Sequence, residues 1–146
     1  MRAWRGWWLL LLSLLVVLPA CSRTPPEQAL RDTIGELQQA IDERDAGEVE
    51  NFLAADFVGN DGLDRTAARR MAAAVFLRHR QVGARIGPLG LELTDASHAT
   101  VRFTAALSGG SGGLLPDSAQ VYDVRTGWRL EGDEWRITSA EWTPRL

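Results

Sequence analysis

Lysine is absent from this 146-residue chain, cysteine and tyrosine occur once each, and histidine occurs twice. Without lysine there is neither an amine for a Schiff base nor the lysine of a phosphate-binding P-loop. His79 and His98 alone cannot supply a three-histidine zinc site, and one thiol cannot build a thiolate site. There is no internal repeat, and no apolar run follows the one at the N-terminus. Sixteen basic against 19 acidic residues leave a net charge of −3, which argues against a general nucleic-acid binder. No metal, no cofactor and no nucleic acid is therefore expected.

The N-terminal run has the three parts of an export signal. Arg2 and Arg5 form its positive head, Trp7 to Leu18 is apolar apart from Ser13, and Ala20 is a small residue at its end. About a dozen apolar residues make roughly 18 Å of helix, too short for a bilayer core of about 30 Å. Cys21, the lone thiol, stands directly after Ala20.

Leu18-Pro19-Ala20-Cys21 resembles the lipobox of bacterial lipoproteins. The resemblance implies that residues 1–20 are removed and that Cys21 carries acyl chains. It also implies that 21–26 is a lipidated cysteine with a short tether. Ser22, rather than aspartate, implies delivery to the outer membrane, facing the periplasm. Each buried CH₂ contributes about 0.8 kcal/mol, so three acyl chains hold a protein durably at a bilayer. Losing Arg2 and Arg5 leaves 14 basic against 19 acidic residues, a net −5.

About 126 residues then remain, enough for one domain with one core. Pro25-Pro26 opens a helical pattern that Thr24 can cap. Leu30, Ile34, Leu37 and Ile41 form its apolar face. Asp45 with Glu48 reads as a capping box for a second, short helix burying Val49, Phe52 and Leu53. Phe57-Val58 suggests a brief strand and Asn60-Asp61-Gly62 a turn. Asp64 can cap a third helix to about Arg80, with a stripe of Ala68, Met71, Ala72, Val75 and Phe76. Arg65, Arg69, Arg70, Arg78 and Arg80 gather on or near that helix.

From Val82 the period changes to that of strands. Arg85–Thr94 is interrupted at Gly87-Pro88, a bend or bulge signal. His98–Leu107 alternates, with Ala99, Val101, Phe103, Ala105 and Leu107 on one face. Two long segments, 119–131 and 134–143, meet at Gly132-Asp133, a hairpin signal. A tight turn there sets Leu130 opposite Trp135 and Trp128 opposite Ile137. Arg129 and Glu131 then meet Arg136 and Glu134 with opposite charges on the diagonals. A slip of one residue would separate Trp128 and Trp135 onto opposite faces.

Three N-terminal helices followed by a long antiparallel sheet is an α+β pattern. Ile41-Asp42, Asp45-Ala46, Phe52-Leu53-Ala54 and Asp56-Phe57-Val58 resemble the opening of the nuclear transport factor 2-like superfamily. Trp128-Arg129-Leu130, Gly132-Asp133, Glu134-Trp135-Arg136-Ile137 and Ala140-Glu141-Trp142 resemble its ending. The likeness covers about Glu27 to Pro144, within one domain expected over residues 27–146. It implies helices packed on a strongly curved antiparallel sheet that forms a cone, often with an apolar pocket. It also implies that the outer sheet face can form a homodimer. Function is not implied, because the superfamily holds ketosteroid isomerases, polyketide cyclases and binding-only domains.

An enzyme of that kind needs a base and an oxyanion donor inside the cone. Asp56, Asp123, His79 and His98 are candidate bases. Tyr122, Trp128, Trp135 and Trp142 are candidate donors or pocket floor. None stands in a pattern specific to one reaction, so no catalytic residue is assigned. Tyr122 and Asp123, adjacent on a strand, point to opposite faces. Arg102 shares a face with Thr100 and Thr104, and there it needs water, an acidic partner or an anionic ligand. Gly109-Gly110-Ser111-Gly112-Gly113 matches G-x-S-x-G, but Leu114-Leu115-Pro116 does not continue as the helix a nucleophile elbow requires. The expectation is a membrane-anchored periplasmic lipoprotein whose cone binds a small apolar ligand or an envelope protein without catalysis. The alternative is an isomerase- or cyclase-like enzyme acting on a small apolar substrate.

Overall fold

The computed structural model describes residues 23–78, 81–110 and 118–145, without the side chains of 81–84, 109, 110 and 118. Cys21, His79, Arg80 and the centre of the glycine-rich loop lie outside the described residues. The helices are α1 (Pro26–Asp42), α2 (Ala46–Asn51) and α3 (Arg65–Arg78). The strands are β1 (Leu53–Val58), β2 (Gln81–Ile86), β3 (Gly90–Asp95), β4 (His98–Gly110), β5 (Ser118–Glu131) and β6 (Glu134–Pro144). The architecture is α+β, with helices packed on one six-stranded sheet of order β1-β6-β5-β4-β2 and β3 also on β4.

The sheet is mixed rather than wholly antiparallel, because β1 runs parallel to β6. Parallel neighbours need a long crossover, and here that crossover runs from residue 59 to 133 and contains α3 and the other four strands. Asn60 prolongs the pairing beyond β1. Its amide donates to the Trp142 carbonyl at 2.8 Å and accepts from the Trp142 N–H at 3.2 Å.

The helix ends differ in detail from the sequence reading. Pro25, not Thr24, is the cap residue of α1, with no side-chain cap bond, and Pro26 starts the helix. Proline at the first position lacks only an N–H that would have had no partner. Half of the capping box forms. Asp45 accepts the Glu48 N–H at 2.9 Å, but Glu48 turns to Asn51, and the Asp45 N–H goes to the Ala40 carbonyl at 3.0 Å. Leu53 opens β1 rather than closing α2. Asp64 caps α3 through the Ala67 N–H at 2.7 Å. Of the stripe expected on α3 only Phe76 is buried, and Met71 and Val75 are exposed.

The β5–β6 hairpin keeps the expected register as far as Trp128–Ile137, with Leu130 opposite Trp135. Gly132 takes φ +65° in the turn. One residue further, the pairing shifts from Trp128–Ile137 to Gly127–Ser139, leaving Thr138 as a bulge. A Cβ on residue 127 would lie 2.7 Å from the Ser139 hydroxyl and 3.2 Å from that of Thr138, so these side chains must shift to admit it. Bulges bend the strand and increase its twist. The charges on the outer face pair along each strand, Arg129 with Glu131 and Arg136 with Glu134, not across the diagonals.

β2 and β3 are two halves of one rail beside β4, facing Ala105–Gly110 and His98–Arg102 respectively. The break lies at Gly87–Leu89, where Gly87 still donates to the Thr104 carbonyl at 2.8 Å. The expected bend is therefore present. α1 fills the hairpin end of the curve. Leu30 and Ile34 pack with Leu53, Phe57, Ala99, Val101, Trp128, Trp135 and Ile137. Each such aliphatic side chain contributes about 1.5–3 kcal/mol on burial.

Candidate functional site

The inner face of the sheet follows from the register. On β4 it carries Ala99, Val101, Phe103 and Ala105, and on β5 Trp128, Thr126, Val124 and Tyr122. On β6 it carries Trp135 and Ile137 and, past the bulge, Ala140 and Trp142. At the hairpin end this face is closed. Trp128 and Trp135 are 3% and 2% exposed. The Trp128 indole donates to the Thr126 hydroxyl at 2.8 Å, which donates to the Val101 carbonyl at 3.3 Å. The Trp135 indole N–H is buried and has no acceptor among the described residues. Among the described residues Thr126 is the one buried polar side chain outside the tryptophans.

At the other end, here called the open end, the described residues cover the inner face only in part. Phe103 lies opposite Val124, which lies opposite Trp142, and Ala105 lies between Ile86 and Tyr122. Ile86, Phe103, Tyr122, Val124 and Trp142 are all half-buried. This wall is apolar apart from one phenol and one indole N–H. The sequence candidates thus divide. Trp128 and Trp135 belong to the closed core, and Tyr122 and Trp142 to the open wall.

The titratable candidates lie elsewhere. Asp56 is an exposed strand residue, not a turn or helix end, and Arg129 grips both its oxygens at 2.8 and 3.2 Å. Those hydrogen bonds hold the Asp56 carboxyl below its ordinary value and raise the Arg129 guanidinium. A carboxylate so stabilised in its charged form is a poor base near neutrality. Asp123 faces outward and pairs with Arg145 at 2.7 Å. His98 sits at the exposed β3–β4 turn, 3.0 Å from Asp95. The Ser97 N–H and hydroxyl, then His98, pull the Asp95 carboxyl down to about 2. Arg102 is on the wet outer face with Glu92 at 3.4 Å. Among the described residues no group of three or more His, Cys, Asp or Glu could hold a metal ion.

The outer surface also carries a cleft of about 460 Å³ between α1, α2 and the hairpin turn, lined by Glu36, Glu48, Asn51, Arg65, Glu131, Glu134 and Arg136 among others. The sequence reading did not single it out, because its walls come from four separated segments. Thr126 was not singled out, and Asn60 was read only as a turn residue. A polar residue that fastens one strand to another has no local pattern.

No protein-family model matches the chain, and no curated protein matches its sequence. Solved structures do match in shape. An NTF2-like protein of unknown function from Pseudomonas putida KT2440 superposes with a TM-score of 0.71 at 16% identity, over 85% of this chain and 89% of the other. A candidate dehydratase of the NTF2-like family from Streptomyces avermitilis gives 0.67 at 17% identity, over 84% and 99%. Bd1075 of Bdellovibrio bacteriovorus gives 0.71 at 13% identity over 81% of this chain, which spans 41% of that protein. A mixed sheet curved around helices into a cone is thus the class of fold. In particular it is the nuclear transport factor 2-like, or cystatin-like, fold.

Proposed function

We propose that this chain is a lipid-anchored protein of a bacterial cell envelope, held at the outer membrane and facing the periplasm. Its cone binds a small apolar molecule at the open end and catalyses no reaction on it. One observation supports the binding reading above the others. The open wall of Phe103, Val124, Tyr122 and Trp142 is half-buried and apolar, as small-molecule sites mostly are. Its phenol and indole N–H give a ligand two polar points of attachment. An isomerase- or cyclase-like enzyme would need a carboxylate or imidazole on that wall, and of the candidates among the described residues Asp56, Asp123 and His98 lie outside it. The outer sheet face, carrying Arg102, Glu92, Asp123 and Arg145, favours a small ligand over a homodimer built on an apolar sheet.

Native mass spectrometry of the protein freed of acyl chains tests the binding. A retained apolar molecule, lost on Trp142→Ala or Phe103→Ala, is the expected result. An empty monomer, or one that turns over a ketosteroid or polyketide probe, overturns it. The anchor is tested by Cys21→Ser, which should leave unprocessed precursor without acyl label. A variant that stays labelled and membrane-bound removes that part.

A further inference from the structure

α3 is unlike the rest of this acidic chain. Its sequence, RTAARRMAAAVFLR, has four arginines and no carboxylate. Two of the arginines are engaged, since Arg69 and Arg65 approach Glu50 of α2 at 3.3 and 3.9 Å. Arg70 and Arg78 make no ion pair or hydrogen bond among the described residues. At 3.6 residues per turn, Arg70, Met71, Ala74, Leu77 and Arg78 share one side of the helix, opposite Phe76 and Ala68. That side faces water. Leu77 is 83% exposed and Met71 46%.

We propose that this face of α3 docks on an anionic phospholipid surface. A solvated helix face normally mixes charges of both signs. Here two guanidinium groups without a partner among the described residues stand beside exposed leucine and methionine, so positive charge and apolar surface face the same way, and each cation near an anionic bilayer adds about 1 kcal/mol. Arginine stems cover apolar surface while their heads reach phosphate. Charge complementarity therefore favours lipid over protein.

The placement also fits the anchor. Arg44, just past the end of α1, donates to the Phe76 carbonyl, so the C-terminal end of α3 lies at the far end of α1 from Pro26. The 17 residues of α1 span about 25 Å. Contact at both ends would lay the domain along the bilayer instead of letting it stand off. Only this two-point picture rests on the lipid-anchor reading. The patch itself does not.

The test uses the full-length protein mixed with preformed vesicles, so that contact does not depend on the anchor. Amide hydrogen exchange of residues 65–78 is compared on mixed phosphatidylglycerol–phosphatidylcholine vesicles and on pure phosphatidylcholine. Slower exchange on the mixed vesicles, lost in high salt, is expected. Arg70→Gln and Arg78→Gln should each lower the docked-to-free ratio about fivefold, and Leu77→Ser should lower it as well. Equal exchange on both vesicle types overturns the proposal. So does slowing that persists after both arginines are replaced. Acyl labelling of Cys21 separates the two readings. Label absent with α3 protected leaves the docking standing and removes the anchor, and label present with α3 unprotected does the reverse.

Discussion

The two ends of the cone are made from the same three strands and do different things. At the hairpin end, Trp128, Trp135 and Ile137 are locked against Leu30 and Ile34 of α1, with Val101 fully buried beneath. At the open end, Phe103, Val124, Tyr122 and Trp142 continue the same inner face but remain half-buried. One end stores stability, and the other keeps apolar surface available. The comparison teaches that burial changes along one inner face although residue type along β4, β5 and β6 hardly does.

The sharpest way to break that contrast is to truncate one tryptophan at each end. Trp128→Ala should cost about 3–5 kcal/mol in chemical denaturation, as for other large core side chains. Trp142→Ala should cost about 1–2 kcal/mol, since only part of its area is removed from water. Equal losses would mean the open end is as tightly packed as the closed one. Next in size is Gly127→Ala, where the new Cβ meets Ser139. An overpacking loss of about 1–3 kcal/mol is expected, and the paired change Gly127→Ala with Ser139→Gly should recover part of it. Thr126→Val removes the acceptor of the Trp128 indole and should cost about 1–3 kcal/mol. Because Trp135 already lacks such a partner among the described residues, the same measurement shows how far the core tolerates an unsatisfied N–H.

The smallest effect belongs to the exposed β3–β4 turn. The Asp95 carboxyl, at about 2 when folded, lies below the value of about 3.9 for a free aspartate. Its contribution is therefore present above about pH 4 and is lost as pH falls toward 2. Carbon-detected NMR titration should give a midpoint near 2, and Ser97→Ala should move it upward. A midpoint near the free value would show that the turn does not hold its hydrogen bonds in solution.

What the sequence made legible was local. The hairpin register follows from Gly132-Asp133 and from the need to keep Trp128 and Trp135 on one face, and it is observed residue for residue as far as the bulge. The inner face of β4 and the break at Gly87 were readable for the same reason. Pairings between distant segments were not. The parallel placement of β1 against β6 and the grip of Arg129 on Asp56, 73 residues away, leave no periodic trace. Nor does propensity say that Met71 and Val75 stay in water. That depends on where α2 and β1 leave room. Of the site, Tyr122 and Trp142 were among the candidates. Their separation from Trp128 and Trp135 depends on the position of α1, which no motif encodes.

The parallel contact between β1 and β6 has a consequence for how the molecule is made. The Phe52 carbonyl accepts the Ile137 N–H at 2.8 Å, so the first strand finds its sheet neighbour only when the last strand exists. Contacts this far apart along a chain form late and slowly. A nascent polypeptide emerging from the ribosome cannot close the fold early, and a chain that stays open until its final segment appears is one that can still be threaded through a narrow pore.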